Sequence, residues 1–111
     1  MEEPEVRIAH TESLFRDVNE RIAESVQRFE GDEGEFVCEC SDPDCIERVE
    51  APLEAYEDVR SDGTQFLLAP GHEDERVERV VRARRRYNVV RKVNGIVAAH
   101  VSRLNPRAGT T

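Results

Sequence analysis

Apolar residues recur every four positions in the first third of the chain, and charged or polar residues fill the gaps between them. The series consists of Leu14, Val18, Ile22 and Val26, with Phe15 and Phe29 beside it. This spacing predicts an amphipathic helix whose apolar stripe is buried. Thr11 or Ser13 can supply the N-cap oxygen, and the helix is expected to end before Gly31.

Shorter apolar runs, bounded by turn residues, follow the helix. Residues 36–40 and 45–51 flank a segment that contains Asp42 and Pro43, which predicts two short strands joined by a tight turn. Pro52 suits the first turn of a second, short helix, because its missing N–H costs nothing there. That helix would present Leu53, Tyr56 and Val59 on one face and end near Gly63.

The rest of the chain alternates between β-branched runs and polar loops. Residues 66–68 predict one strand, residues 77–81 and 87–90 predict a hairpin, and residues 96–104 fit either a short helix or a strand. We therefore expect an α+β fold: an N-terminal amphipathic helix, a small, mainly antiparallel sheet and a short second helix. One domain is expected over residues 11–104, between a flexible acidic tail at residues 1–10 and a flexible tail at residues 105–111.

The composition leaves little apolar surface for a core. Of the 111 residues, 38% are hydrophobic and 36% are charged, so a cross-linking site would help the domain to fold. No apolar run approaches the roughly 20 residues that span a bilayer. The acidic start of the chain lacks the apolar stretch of a secretory signal. We expect a cytoplasmic protein that does not bind a membrane.

The net charge of −8 is distributed unevenly along the chain. Residues 82–111 carry eight basic residues and no acid, which leaves residues 1–81 with a charge of −16. The segment 82–92 is a candidate surface for a nucleic acid or an acidic partner, with Tyr87 as a base-stacking candidate. Its members are Arg82, Arg84, Arg85, Arg86, Tyr87, Arg91 and Lys92. Alternatively, acidic elements of the same fold neutralise these side chains.

All three cysteines lie within eight residues, as Cys38, Cys40 and Cys45. If Cys38 and Cys40 share a strand, period-2 alternation puts both thiols on one face, and the following turn returns Cys45 beside them. Three converging thiolates suit a tetrahedral zinc ion. The alternatives are a disulfide with one spare thiol, which a reducing cytosol disfavours, reduced core cysteines, and an iron–sulfur cluster, which usually takes four cysteines.

His72 is the preferred fourth ligand, because it follows a predicted strand at the sharp Pro70-Gly71 turn. His10, before the first helix, and His100, in an apolar stretch, are weaker candidates. The alternative for His72 is a turn residue that faces solvent. Four protein ligands would close the site, and a closed zinc site stabilises a fold without performing chemistry.

These motifs resemble those of a family of small, uncharacterised bacterial proteins, mostly actinobacterial. The resemblance covers about residues 14–92 and rests on the Cys-x-Cys-x4-Cys cluster, the segment 56–60, Phe66 and the Pro-Gly-His-Glu sequence at residues 70–73. It implies a stand-alone cytoplasmic domain in which the three cysteines and His72 belong to the motif. It implies no known activity.

The sequence therefore favours a small interaction or regulatory module folded around one structural zinc ion, with an unknown protein partner. A nucleic-acid-binding protein that uses segment 82–92 is one alternative, and a thiol-based redox sensor is another. An enzyme is the least favoured class, because no base is readable beside a cysteine nucleophile and no catalytic residue is assigned. Glu39, between two cysteines, is interpreted as a strand residue that faces solvent.

Overall fold

The computed structural model describes residues 4–107, and it has an α+β fold of three helices and two small antiparallel sheets. The elements are, in chain order, α1 (Pro4–Arg28), β1 (Glu33–Val37), β2 (Arg48–Pro52), α2 (Leu53–Arg60), β3 (Gln65–Leu68), β4 (Glu78–Ala83), β5 (Asn88–Lys92) and α3 (Gly95–Arg103). One sheet pairs β1 with β2, and the other has the order β3-β5-β4. Across these residues, no helix combines the length and the apolar character needed to cross a membrane.

Helix α1 begins at Pro4, so residues 4–10 are helical, although the sequence predicted them as a tail. Proline is well suited to the first turn, and the fully buried Ala9 ties this extension to the core. Residues 1–3 of the predicted tail lie outside the described residues. At the other end of the chain, the Arg107 guanidinium binds the carboxylates of Glu20 and Glu57.

The predicted apolar stripe of α1 is not the face that is buried. Leu14 and Val18 are exposed, and the helix turns a mostly polar face inwards: Ala9, Glu12, Ser13, Arg16, Asn19 and Ala23. The prediction was wrong because residues far along the chain supply hydrogen-bond partners for Glu12, Arg16 and Asn19. Arg16, for example, donates to the carbonyl oxygens of Gly63 at 2.8 Å and Val101 at 2.7 Å.

The β1–β2 pairing confirms the first predicted hairpin, with Phe36 opposite Val49. Strand β1 has the predicted length but begins three residues earlier, and β2 is two residues shorter than predicted. Residues 38–47 form a loop between the strands instead of a tight turn, so Cys38 and Cys40 lie after β1 and not within it. Helix α2 is confirmed, and its buried Tyr56 stacks on the Phe36 ring with 4.5 Å between ring centroids. Beyond β1, the Glu39 N–H donates to the carbonyl of Leu67 at 2.9 Å, which links the first sheet to β3.

The second sheet confirms the predicted strand at residues 66–68 and the predicted hairpin. Strand β3 is wholly buried and pairs with β5, and β4 pairs with the other edge of β5 through an irregularity between Val80 and Arg82. Residues 95–103 form a helix, which decides between the two predicted alternatives. Its N-cap is Asn94, whose side-chain oxygen accepts from the backbone N–H groups of Ile96 and Val97.

Candidate metal centre

The loop after β1 brings the three cysteines together. The N–H of Cys38 donates to the Glu47 carbonyl at 3.1 Å, so the two ends of the loop stay paired. At the far end of the loop, the Asp42 carboxylate accepts from the Asp44 N–H at 2.9 Å, and the Asp42 carbonyl accepts from the Cys45 N–H at 3.1 Å. This turn directs Cys45 back towards Cys38 and Cys40.

His72 reaches the same point from a second segment of the chain. It follows β3 in a turn that the His72 N–H closes by donating to the Ala69 carbonyl at 3.1 Å. Gly71 has φ +86°, a left-handed conformation that glycine adopts without the cost of a Cβ clash. The sequence Pro70-Gly71 thus produces the sharp turn that was predicted to direct the imidazole inwards.

The four side chains have the dimensions of a tetrahedral metal site. One ligand atom from each of Cys38, Cys40, Cys45 and His72 lies within 4.8 Å of all the others. His72 Nδ1 is 3.6 Å from both Cys38 Sγ and Cys45 Sγ. Zn–S bonds of about 2.3 Å and Zn–N bonds of about 2.0–2.1 Å at a tetrahedral angle separate sulfur from nitrogen by about 3.6 Å. The cluster is therefore compatible with a structural metal site.

The environment of the sulfur atoms favours negative charge on one of the three cysteines. Hydrogen bonds from Cys38 and His72 outweigh the opposing effect of burial and lower the pKa of Cys40 to about 5. The hydrogen bond to Cys40, together with burial, raises the pKa of Cys38, and burial raises that of Cys45. The backbone N–H of Ala69 also donates to Cys38 Sγ at 3.2 Å. Ionisation is thus favoured at Cys40 over the other two cysteines, and a divalent cation would displace the remaining thiol protons.

Glu39, between the two buried cysteines, does not face solvent as the sequence suggested. It is fully buried, because the cysteine–histidine cluster covers one side of the segment, and α1 and β3 cover the other. Its carboxylate accepts from Asn19 Nδ2 at 2.7 Å and from the Leu67 N–H at 2.9 Å. Burial, only partly offset by these hydrogen bonds, raises its pKa to about 7. Glu39 thus joins the cysteine segment to α1 and β3, a connection that the sequence did not reveal.

The other two histidines are not part of the cluster. His10 is exposed on α1, and His100 Nδ1 lies 3.0 Å from the Arg103 guanidinium on α3. Their positions agree with the lower rank that the sequence gave them.

The basic segment 82–92 is largely neutralised within the fold. Arg82 pairs with Asp58 at 3.2 Å, Arg86 with Glu50 at 3.1 Å and Arg91 with Asp62 at 3.4 Å. Asp58 lies in α2, Glu50 in β2 and Asp62 in the loop after α2. Acidic residues of the same fold thus pair with these arginines, as the alternative interpretation expected.

Two further members of the segment face the interior, and two lie at its tip. The Lys92 side chain is fully buried between Glu12 and Glu78, which makes it inaccessible to a nucleic acid. Tyr87 packs partly against the core. Arg84 and Arg85 are exposed at the hairpin tip.

Comparisons of the chain with protein-family models, with curated proteins and with solved structures found no match.

Proposed function

We propose that the protein is a small interaction or regulatory module whose fold is stabilised by one structural zinc ion. The observation that carries the proposal is the convergence of Cys38, Cys40, Cys45 and His72 from two separate segments. Packing alone does not require three sulfur atoms and an imidazole nitrogen to meet. A cation at their centre would bond all four.

The donor set favours zinc among the common metal ions. Three thiolates and one imidazole are soft to borderline ligands, which disfavours magnesium and calcium because these ions prefer oxygen. A tetrahedral set of this kind occurs in structural zinc sites. With all four positions taken by protein atoms, the ion would have none left for water, which supports a structural role over a catalytic one.

The position of the cluster explains how the metal would stabilise the domain. The cysteines extend the β1–β2 hairpin, and His72 follows β3 of the other sheet. A metal at this point joins the two sheets and closes a chain segment that includes α2. The added stability would matter in a chain in which only 38% of the residues are hydrophobic and can form a core.

The zinc content of the chain tests the proposal directly. The protein is purified without added metal, and inductively coupled plasma mass spectrometry is combined with a free-thiol count. We expect one zinc per chain, which His72→Ala and Cys45→Ser lower together with the melting temperature. His100→Ala is the matched control, because it removes an imidazole outside the cluster. A folded chain with three titratable thiols and no metal would contradict the proposal, as would a Cys45→Ser variant of unchanged metal content and stability.

A further inference from the structure

Helix α1 carries large apolar side chains on the face that points away from the core. Leu14 is 66% exposed and Val18 44%, Phe29 directly after the helix is 77% exposed, and Ile22 at the edge of this face is half-buried against the core. At about 100° per residue these four side chains fall within a sector of about 80°. We call Leu14, Val18, Ile22 and Phe29 the outer stripe of α1.

The outer stripe has the properties of an interaction surface. It extends about 22 Å along the helix, at about 1.5 Å per residue from Leu14 to Phe29. Single exposed apolar residues are ordinary, but a continuous apolar strip bordered by charged residues is typical of a binding site. In a chain with so few apolar residues, leaving these side chains in water forgoes stabilisation that a partner would restore.

The charges beside the stripe indicate which partner fits. Asp17 and Arg21 are both exposed on the same flank, one helical turn apart. A partner surface of one sign would attract one of them and repel the other. A second copy of α1 in antiparallel orientation reverses their order and so presents each charge to its opposite.

Simple helix geometry specifies this arrangement. The two-fold axis lies between the two helices at the level of Val18, perpendicular to the plane that contains both helices. Residues on one flank of a helix then face the same flank of the other copy, and a residue that precedes Val18 lies at the level of one that follows it. Leu14 of one copy then lies opposite Ile22 of the other. Arg21 of one copy comes within about 3 Å, measured along the helix axis, of Asp17 of the other. Between Leu14 and Ile22 the outer stripe therefore faces itself, and the flanking charges of Asp17 and Arg21 face their opposites.

We propose that the outer stripe of α1 is the interface of a two-fold symmetric homodimer, in which the two α1 helices pack antiparallel about Val18. The part of the stripe that faces itself, from Leu14 to Ile22, is one helix wide and about 12 Å long, which is small for a specific interface. The dimer therefore dissociates in the micromolar range and forms reversibly.

Sedimentation equilibrium from about 5 to 300 µM, with a reductant present to prevent intermolecular disulfides, tests the proposal. We expect a monomer–dimer equilibrium that Val18→Glu weakens at least about tenfold, because two carboxylates then meet on the symmetry axis in an apolar seam. Val81→Glu is the matched control, since Val81 is exposed to a similar degree on β4. Circular dichroism verifies that both variants are folded. A wild-type monomer over the whole range, or a dimer that Val18→Glu does not weaken, would overturn the proposal.

Mixing two charge variants separates contacts between copies from contacts within one helix. Asp17→Arg and Arg21→Asp should each weaken self-association, because each places like charges across the two-fold axis. The mixture of the two variants should associate more strongly than either alone, since opposite charges then face each other across the interface. Equal association of the mixture and the separate variants would refute the antiparallel arrangement.

Discussion

Lys92 joins three distant parts of the chain through a single ammonium group. Its Nζ lies 2.6 Å from the Glu12 carboxylate on α1 and also contacts Glu78 on β4, and all three side chains are fully buried. It also lies 4.9 Å from the centre of the Phe66 ring. Burial, opposed by the charge of Lys92, raises the pKa of Glu12 to about 8.

Lys92→Met should consequently destabilise the protein much more than the loss of an ordinary surface charge. The change leaves Glu78 buried without its cation, and breaking a buried ion pair costs about 3–5 kcal/mol. Urea denaturation monitored by circular dichroism measures the free energy of unfolding. Arg91→Met is the neighbouring control, because Arg91 faces outwards and its ion pair with Asp62 is exposed, so its loss should cost less than about 1 kcal/mol. Equal losses in the two variants would show that the triad contributes no more than a surface pair.

At the scale of elements, the packing of β1 requires a glycine at position 34. A Cβ at Gly34 would lie 2.8 Å from a carbon of the Phe36 ring. That ring cannot move aside, because it is fully buried and stacked on Tyr56. Gly34 is thus the point at which α1, β1 and α2 approach closely enough to exclude a methyl group.

Gly34→Ala should lower the free energy of unfolding by about 1–3 kcal/mol, the usual cost of overpacking a core. Gly95→Ala at the start of α3 is the matched control, because a Cβ there meets nothing within 4 Å. Alanine also favours the helix, so the control should be neutral or stabilising by up to about 1 kcal/mol. Equilibrium unfolding of both variants measures the contrast. A Gly34→Ala variant as stable as Gly95→Ala would contradict the close packing described for β1.

The contact between α1 and α2 should weaken in acid. Burial alone would raise the pKa of Glu20, but its hydrogen bonds and ion pairs with Arg60 and Arg107 outweigh that effect and lower the pKa. A carboxyl group whose pKa is lowered by folding contributes stability above its unfolded pKa of about 4.5, and that contribution disappears as the pH falls through the folded value.

Comparing the wild type with Glu20→Gln at a series of pH values isolates this contribution, since other acid effects are common to both proteins. The wild type should be the more stable at pH 6, and the difference should shrink below about pH 4.5. Chemical denaturation at each pH gives the two free energies of unfolding. A difference that is constant from pH 6 to pH 3 would mean that the ionised carboxylate does not stabilise the contact.

At the scale of the whole molecule, the sequence predicts features that depend on neighbouring residues and fails where distant residues decide. The cysteine spacing and the Pro70-Gly71 turn are local, and the structure brings these segments together as expected. The strands and α2 also follow from local patterns. The buried face of α1 does not, because the two terminal guanidinium nitrogens of Arg16 donate to carbonyl groups 47 and 85 positions away.

Glu39 illustrates the same limit beside the candidate site. Alternation correctly separates it from the two cysteines, but alternation does not reveal that α1 and β3 cover the opposite side. The apolar pattern of α1 is equally ambiguous. It identifies a helix with one apolar stripe, whereas the buried ion network determines which face turns inwards.

The two ways of joining distant segments, by metal and by buried ions, lead to a final prediction. The proposed zinc ion ties the loop after β1 to the turn after β3. The contacts of Arg16 and Lys92 hold α1 to α3 and to the second sheet without any metal. Removing the metal should therefore loosen one part of the molecule before the other.

Hydrogen exchange measured by mass spectrometry, with and without a chelator, checks this expectation. Residues 38–47 and 69–73 should exchange faster in the chelator, whereas the amides of α1, α3 and β5 should keep most of their protection. His72→Ala without chelator should reproduce the pattern, and adding chelator to that variant should change little further. Uniform acceleration would mean that the metal and the ion network act as one cooperative unit. If exchange at residues 38–47 were not accelerated, the contacts of this loop would persist without a cation. The metal would then not be what holds the two sheets together.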